Sequence, residues 1–230
     1  MRLRRASGAG ALVLVAALAP LMAQRESSDK TTPTAVITFT LDFPQSNPEH
    51  YSIAVDARGH AIYECTGKVA EDSEDETYRT EFEMSARNRQ RIFEWAKQAQ
   101  YFADKIDSGN GKLAFTGAKV LSYQDGQRSN TARYNYSNSE PVRQLTTLFQ
   151  SIAGTLDYGR RLAYYHRYQK LALDDELKRM EVQAKNNELS EIQGAEPVLK
   201  GILEDASVMN VVRARARELM QMGNGAAPGH

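Results

Sequence analysis

Residues 51–67 read YSIAVDARGHAIYECTG, two runs with apolar side chains at alternate positions, joined at Asp56-Ala57-Arg58-Gly59. A β-strand sends successive side chains to opposite faces. A glycine closing a four-residue turn supplies the left-handed backbone that a tight hairpin needs. Pairing Asp56 with His60 sets Val55 opposite Ala61, Ile53 opposite Tyr63 and Tyr51 opposite Cys65, six side chains on one face. The other face receives Ser52, Ala54, Asp56, His60, Ile62 and Glu64, a wetter set. Slipping the register by one residue would exchange the faces, so this pairing commits the segment to a one-sided sheet. Cys65, the single cysteine of the 230 residues, falls on the apolar side and reads as a small hydrophobe. The nearby base, His60, points the other way, which leaves the thiol without the partner a nucleophile needs.

The same alternation extends outward. In AVITFTLDF, residues 35–43, Ala35, Ile37, Phe39, Leu41 and Phe43 share a side, and in YRTEFEM, residues 78–84, Tyr78, Thr80, Phe82 and Met84 do. Four antiparallel strands with one apolar face follow. Between the third and fourth lies EDSEDE, residues 71–76, whose five acids have neither the spacing nor the glycine of a calcium loop and read as solvated. Ser85 is placed to cap a helix in which Ile92, Phe93, Ala96, Ala99 and Phe102 form a stripe. IDSGNGK, residues 106–112, has the wrong glycine spacing for a phosphate-binding loop. A second hairpin turns at residues 124–127, around Asp125-Gly126, and Ser139 with Pro141 opens another helix striped by Leu145, Leu148, Phe149, Ile152 and Leu156. The fold class is therefore α+β. An antiparallel sheet is covered by helices on one face over residues 35–158, and a long helix and a short C-terminal helical hairpin follow.

The hairpin Y-S-x-x-V-D-x-x-G-x-x-x-Y, a phenylalanine late in the first helix (QYFADKID), LSYQDGQ in the second hairpin, and a closing helix after a proline together resemble a family of exported bacterial domains of unknown function. The resemblance covers residues 35–158 and implies the same hairpin–helix–hairpin–helix scaffold. It brings no catalytic residues, and the cysteine-rich segment that precedes the first hairpin in that family is missing from this chain.

At the N-terminus, Arg2, Arg4 and Arg5 precede an apolar run over residues 9–23. That order, in a run shorter than the ~20 residues of a membrane-spanning helix, matches a secretory signal peptide over residues 1–23, with cleavage expected after Ala23. Retention as an anchor is the alternative. Residues 24–34 read as a linker. The chain is balanced at 29 basic and 29 acidic side chains, and the signal segment holds three arginines and no acid, so a mature chain would carry 26 against 29, a net charge of −3. Such a balance lacks the basic surface of a nucleic-acid binder. One cysteine excludes an internal disulfide, and with none at the cleavage site lipoprotein anchoring is excluded too.

Residues 159–222 read as a helical appendage and residues 223–230 as a disordered tail. On a helix stepping ~100° per residue, Ala163 continues the stripe of Leu145, Phe149, Ile152 and Leu156, while Tyr164, Tyr165 and Tyr168 lie nearly opposite. A helix apolar on two sides is covered twice. The second cover is either the C-terminal pair, EPVLKGIL and VMNVVRARARELMQ, or a partner protein, since tyrosines beside Arg160, Arg161 and Arg167 have the composition of an interface. Arg161, Tyr164, Tyr165 and Tyr168 are the candidate binding residues. His166 reads as a packed histidine, because no second histidine stands one turn away to complete a metal pair. Asp174-Asp175 reads as the cap of a new helical segment striped by Leu173, Leu177, Met180 and Ala184.

No HExxH, GxSxG, CxxC or serine-x-x-lysine arrangement with supporting partners occurs, and no catalytic, metal or cofactor residue is assigned. The expectation is an exported non-catalytic binding module, periplasmic or extracellular, that meets an envelope protein or a ligand through its helical appendage, with no nucleic acid and no membrane span after signal cleavage. The alternative is a hydrolase of unrecognised type with acidic residues at its site.

Overall fold

A computed structural model of the chain describes residues 34–44, 46–70 and 73–225. The expected signal segment and most of the expected linker lie outside the described residues. Alternation in the front half produces four strands, β1 (Val36–Asp42), β2 (His50–Asp56), β3 (His60–Gly67) and β4 (Glu76–Glu83). Tyr51 lies opposite Cys65, Ile53 opposite Tyr63 and Val55 opposite Ala61, as the turn predicts. Gly59 takes φ +107°, and Asp56 Oδ1 accepts the N–H groups of Arg58, Gly59 and His60 at 2.8–3.0 Å.

The second hairpin, β5 (Ala118–Gln124) and β6 (Ser129–Tyr134), joins the first four strands by pairing β5 with β1, giving one antiparallel sheet ordered β4-β3-β2-β1-β5-β6. Gln124 pairs with Ser129, so its loop is residues 125–128, one residue beyond the expected turn. The shift arises at Asp125, whose carboxylate accepts the N–H groups of Gln127 and Arg128.

Helix α1 (Ala86–Gln98) is capped by Ser85, whose hydroxyl accepts the Asn88 N–H, and buries Ile92 and Ala96 against the sheet. The expected stripe runs on to Phe102, but the helix stops at Gln98. Gln100, Tyr101 and Phe102 are left-handed, at φ 51°, 53° and 62°. Tertiary contacts hold this unfavourable backbone: Phe102 is buried, Asn130 Nδ2 donates to the Tyr101 carbonyl at 3.0 Å, and the Tyr101 ring lies against Tyr123 and beneath Arg128.

Helix α2 (Glu140–Tyr168) starts at Ser139 with Pro141 in its first turn, although the Ser139 side chain makes no cap bond. Val142, Leu145, Phe149, Ile152 and Leu156 press on the sheet, with the Phe149 and Phe39 rings stacked at 5.3 Å. At 29 residues, α2 is about 43 Å long, while an eight-residue strand spans about 26 Å. The helix therefore outruns the sheet. Ala163, expected in the sheet-facing stripe, is exposed on the overhang. The other side of the overhang, with Tyr158 and Leu162, is covered by α3 (Leu173–Lys185), α4 (Glu196–Glu204) and α5 (Asn210–Gly225). That second core contains Leu173, Leu177, Met180, Leu199, Ile202, Val212 and Leu219, and it begins at Tyr158, two residues beyond the last sheet-core residue, Leu156.

Asp174 and Asp175 stand in the first turn of α3, with Ala172 at the cap position, so they serve the helix dipole and do not cap it. Helix α5 runs through Gly223 to Gly225, into the segment expected as tail. A Cβ at Gly223 would stand 3.2 Å from the Gln193 nitrogen, so glycine lets α5 close on that turn.

Burial places Cys65 at 1 % exposure and pushes its thiol up from the ordinary value. In native protein a thiol reagent should label Cys65 no faster than global unfolding exposes it. Stopped-flow labelling with and without urea measures this, and fast native labelling would disprove the register.

Candidate functional site

Where α2 overhangs the sheet, a cleft of about 470 Å³ opens. One wall is α2 and α3, contributing Tyr158, Arg161, Tyr165, Glu176 and Arg179. The other wall consists of loops at the sheet end, contributing Ser46, Asn47 and Glu49 before β2 and Lys68, Val69, Ala70 and Asp75 between β3 and β4. The volume lies in the usual range for small-ligand sites.

Behind the helix wall runs an ion network, of which Arg161, Glu176 and Arg179 line the cleft while Arg160 and Asp157 lie beneath them. Arg160, 2 % exposed, donates to Asp157 Oδ1 from Nε and Nη2 at 3.1 and 3.0 Å, and to the carbonyls of Gly67 and Lys68 at 3.0 and 2.9 Å. Gly67 must be glycine to allow this. Its φ is +155°, and a Cβ would sit 2.9 Å from Asn47 Oδ1 and 3.0 Å from the Pro48 Cα. Arg161 bridges two buried acids, reaching Asp157 through Nη1 and Glu176 through Nε at 2.6 Å, with its guanidinium 4.5 Å over the Tyr158 ring. Arg179 takes the other Glu176 oxygen at 3.3 Å and leaves its own side chain 67 % exposed. Arg161 is thus fixed in orientation while Arg179 reaches toward solvent. Because Glu176 is engaged on both oxygens and Asp157 by two arginines, these acids are arranged to hold cations, and their geometry is poorly suited to passing protons to a substrate.

Of the four residues singled out from sequence, Arg161 and Tyr165 line the cleft. Tyr164 is half-buried and packs edgewise on Tyr165 at 5.8 Å and against Tyr168 at 5.1 Å, outside the cleft lining. Tyr168 is 61 % exposed, with Arg167 5.1 Å from its ring. The C-terminal helices therefore take Tyr165 into their core margin and leave Tyr168 uncovered. Arg160, grouped in sequence with the interface arginines, is a buried structural cation. Tyr158, Glu176, Arg179 and the loop residues escaped the sequence reading. The available signal was the acid–base spacing of Asp157 with Arg160 and Arg161, at i,i+3 and i,i+4.

His166 is packed, and pairs with Asp205 at 2.9 Å. Lys170 reaches the same carboxylate at 2.7 Å, and the Ser207 hydroxyl and N–H also bond Asp205, tying the end of α2 to the α4–α5 loop. The hydrogen bonds from Lys170, then Ser207, then His166 hold the Asp205 carboxyl well below its ordinary value of 3.8. A depressed carboxyl contributes stability that is present above its unfolded value and lost as pH falls through the folded one. Asp205→Asn should therefore be less stable than the parent protein near neutrality, and the difference should shrink below pH about 4. Urea titrations at several pH values measure it, and a gap independent of pH would contradict the assignment.

Among the described residues no cluster of three or more His, Cys, Asp or Glu side chains is placed to hold a metal ion, and no helix is long and apolar enough to cross a membrane. Comparison with protein-family models finds no match, and comparison with curated proteins finds no relative.

Proposed function

We propose that the chain is an exported, non-catalytic binding module whose site is the cleft between the sheet-end loops and the α2–α3 wall. One observation carries this reading. Two of the residues with interface composition, Arg161 and Tyr165, meet in a cleft whose helix wall is backed by buried ion pairs. Buried ionic groups are costly to a fold and contribute little net stability. Fixing a guanidinium by two carboxylates and an aromatic ring is, in contrast, how a recognition group is pre-organised. The saturated acids support ligand holding over the hydrolase alternative. Export rests on the arginine-then-apolar N-terminus and on the resemblance to exported bacterial domains, both features of the sequence alone.

The test is affinity purification from the envelope fraction of producing cells, with mass spectrometry for proteins and small molecules alike. Whatever accompanies the parent protein should be lost with Arg179→Gln and Tyr165→Ala and retained with Tyr168→Ala. Loss with Tyr168→Ala alone would move the site to the exposed tip of α2.

A further inference from the structure

The two walls of the cleft carry opposite charge. Of the residues lining the helix side, Arg161 and Arg179 stand against Glu176, an excess of one positive charge, and the Arg160–Asp157 pair lies buried behind them. Arg160 spends its donors inward on Asp157 and on the Gly67 and Lys68 carbonyls, so the excess is presented by Arg161 and the exposed Arg179. Among the described residues lining the loop side, Glu49 and Asp75 stand against Lys68, an excess of one negative charge. Glu49 and Asp75 form no ion pair among the described residues, which leaves their carboxylates available at the rim. The half-buried Tyr165 lines the helix side, and the half-buried Ala70 adds apolar surface from the loop side.

Resting on the reading of the cleft as a binding site, we infer that its ligand is a short peptide with free ends. The peptide carboxylate meets Arg161 and Arg179, and its ammonium group meets Glu49 and Asp75. A guanidinium edge is the geometric match for a carboxylate, and a primary ammonium is satisfied by carboxylate oxygens. A purely anionic ligand would place charge against Glu49 and Asp75, and a purely cationic one against Arg161 and Arg179. A dipolar ligand satisfies both walls at once.

The experiment is isothermal titration with trialanine in four forms: free, N-acetylated, C-amidated and blocked at both ends. The free form should bind, and each single block should weaken it at least tenfold. Arg179→Gln, at an exposed position that removes one contact to Glu176 and keeps those of Arg160 and Arg161, should abolish the preference for a free carboxylate while keeping the preference for a free amine. Glu49→Gln with Asp75→Asn should do the reverse. Equal affinity for free and blocked peptide, or no binding of trialanine at all, overturns the inference. If trialanine fails while envelope capture still depends on Arg179 and Tyr165, the peptide assignment falls and the binding site stands. If that capture too is indifferent to both residues, the site itself falls.

Discussion

Arg160→Met should destabilise the protein by roughly 3–5 kcal/mol, the range for removing one partner of a buried ion pair. The guanidinium is 2 % exposed and the Asp157 side chain 9 %, so neither is compensated by water. Methionine fills much of the same volume. The loss therefore lies in the carbonyls of Gly67 and Lys68 left without donors and in a carboxylate left with Arg161 alone. Adding Asp157→Asn should recover part of the deficit, because it removes the stranded charge. Arg167→Met, on the exposed side of the same helix, should stay within about 0.5 kcal/mol of the parent, as surface changes do. Urea unfolding of the three variants decides the matter, and similar losses for Arg160→Met and Arg167→Met would refute the buried network.

The second large effect is expected at Glu191, 5 % exposed, in the loop between α3 and α4. Its carboxylate accepts the Ser85 N–H at 2.8 Å, the Ser85 hydroxyl at 2.6 Å and Asn88 Nδ2 at 2.5 Å, and also takes Gln193 Nε2. An acid from the helical appendage thus closes the N-terminus of α1, where amide groups lack intrahelical partners and the helix dipole favours negative charge. Glu191→Ala should cost about 2–4 kcal/mol, since several half-buried donors lose a charged acceptor together. Hydrogen exchange supplies the finer readout: amides in the first turn of α1 should lose protection in this variant while those of β1 keep theirs relative to global stability. Unchanged protection at residues 86–89 would contradict the capping role.

The strands were legible because burial on one face imposes a period of two, and Ile37, Phe39, Ile53 and Tyr63 are all fully buried. The Ser85 cap and the helix start marked by Pro141 were legible because they are local chemistry, although Ser139, expected to cap that second helix, makes no cap bond. What sequence could not show is long-range pairing. Glu191 and Ser85 are 106 residues apart, and nothing near either announces the other. Lys119 is a similar case. It is 4 % exposed, and its ammonium group donates to the Thr116, Gly117 and Asn135 carbonyls and the Thr116 hydroxyl, a cage assembled by two loops. Arg160, Arg161 and Arg167 look alike in sequence, yet one is buried, one is pinned over a tyrosine and one is exposed. Their fates are set by where α2 leaves the sheet, a length relation between elements and not a motif. Half of the candidate site was accessible for that reason: α2 displayed its tyrosines and arginines, while the loop wall depended on the sheet closing first.

The most direct measurement is a ¹H–¹⁵N correlation spectrum of the labelled protein, recorded while a small-molecule extract of the producing cell's envelope is titrated in. Shift changes are expected to be confined to residues 46–49, 68–70, 75, 158–165 and 176–179, and to disappear in Arg179→Gln. Changes centred on Tyr168, Leu171 and Met209, with the cleft residues still, would contradict that expectation.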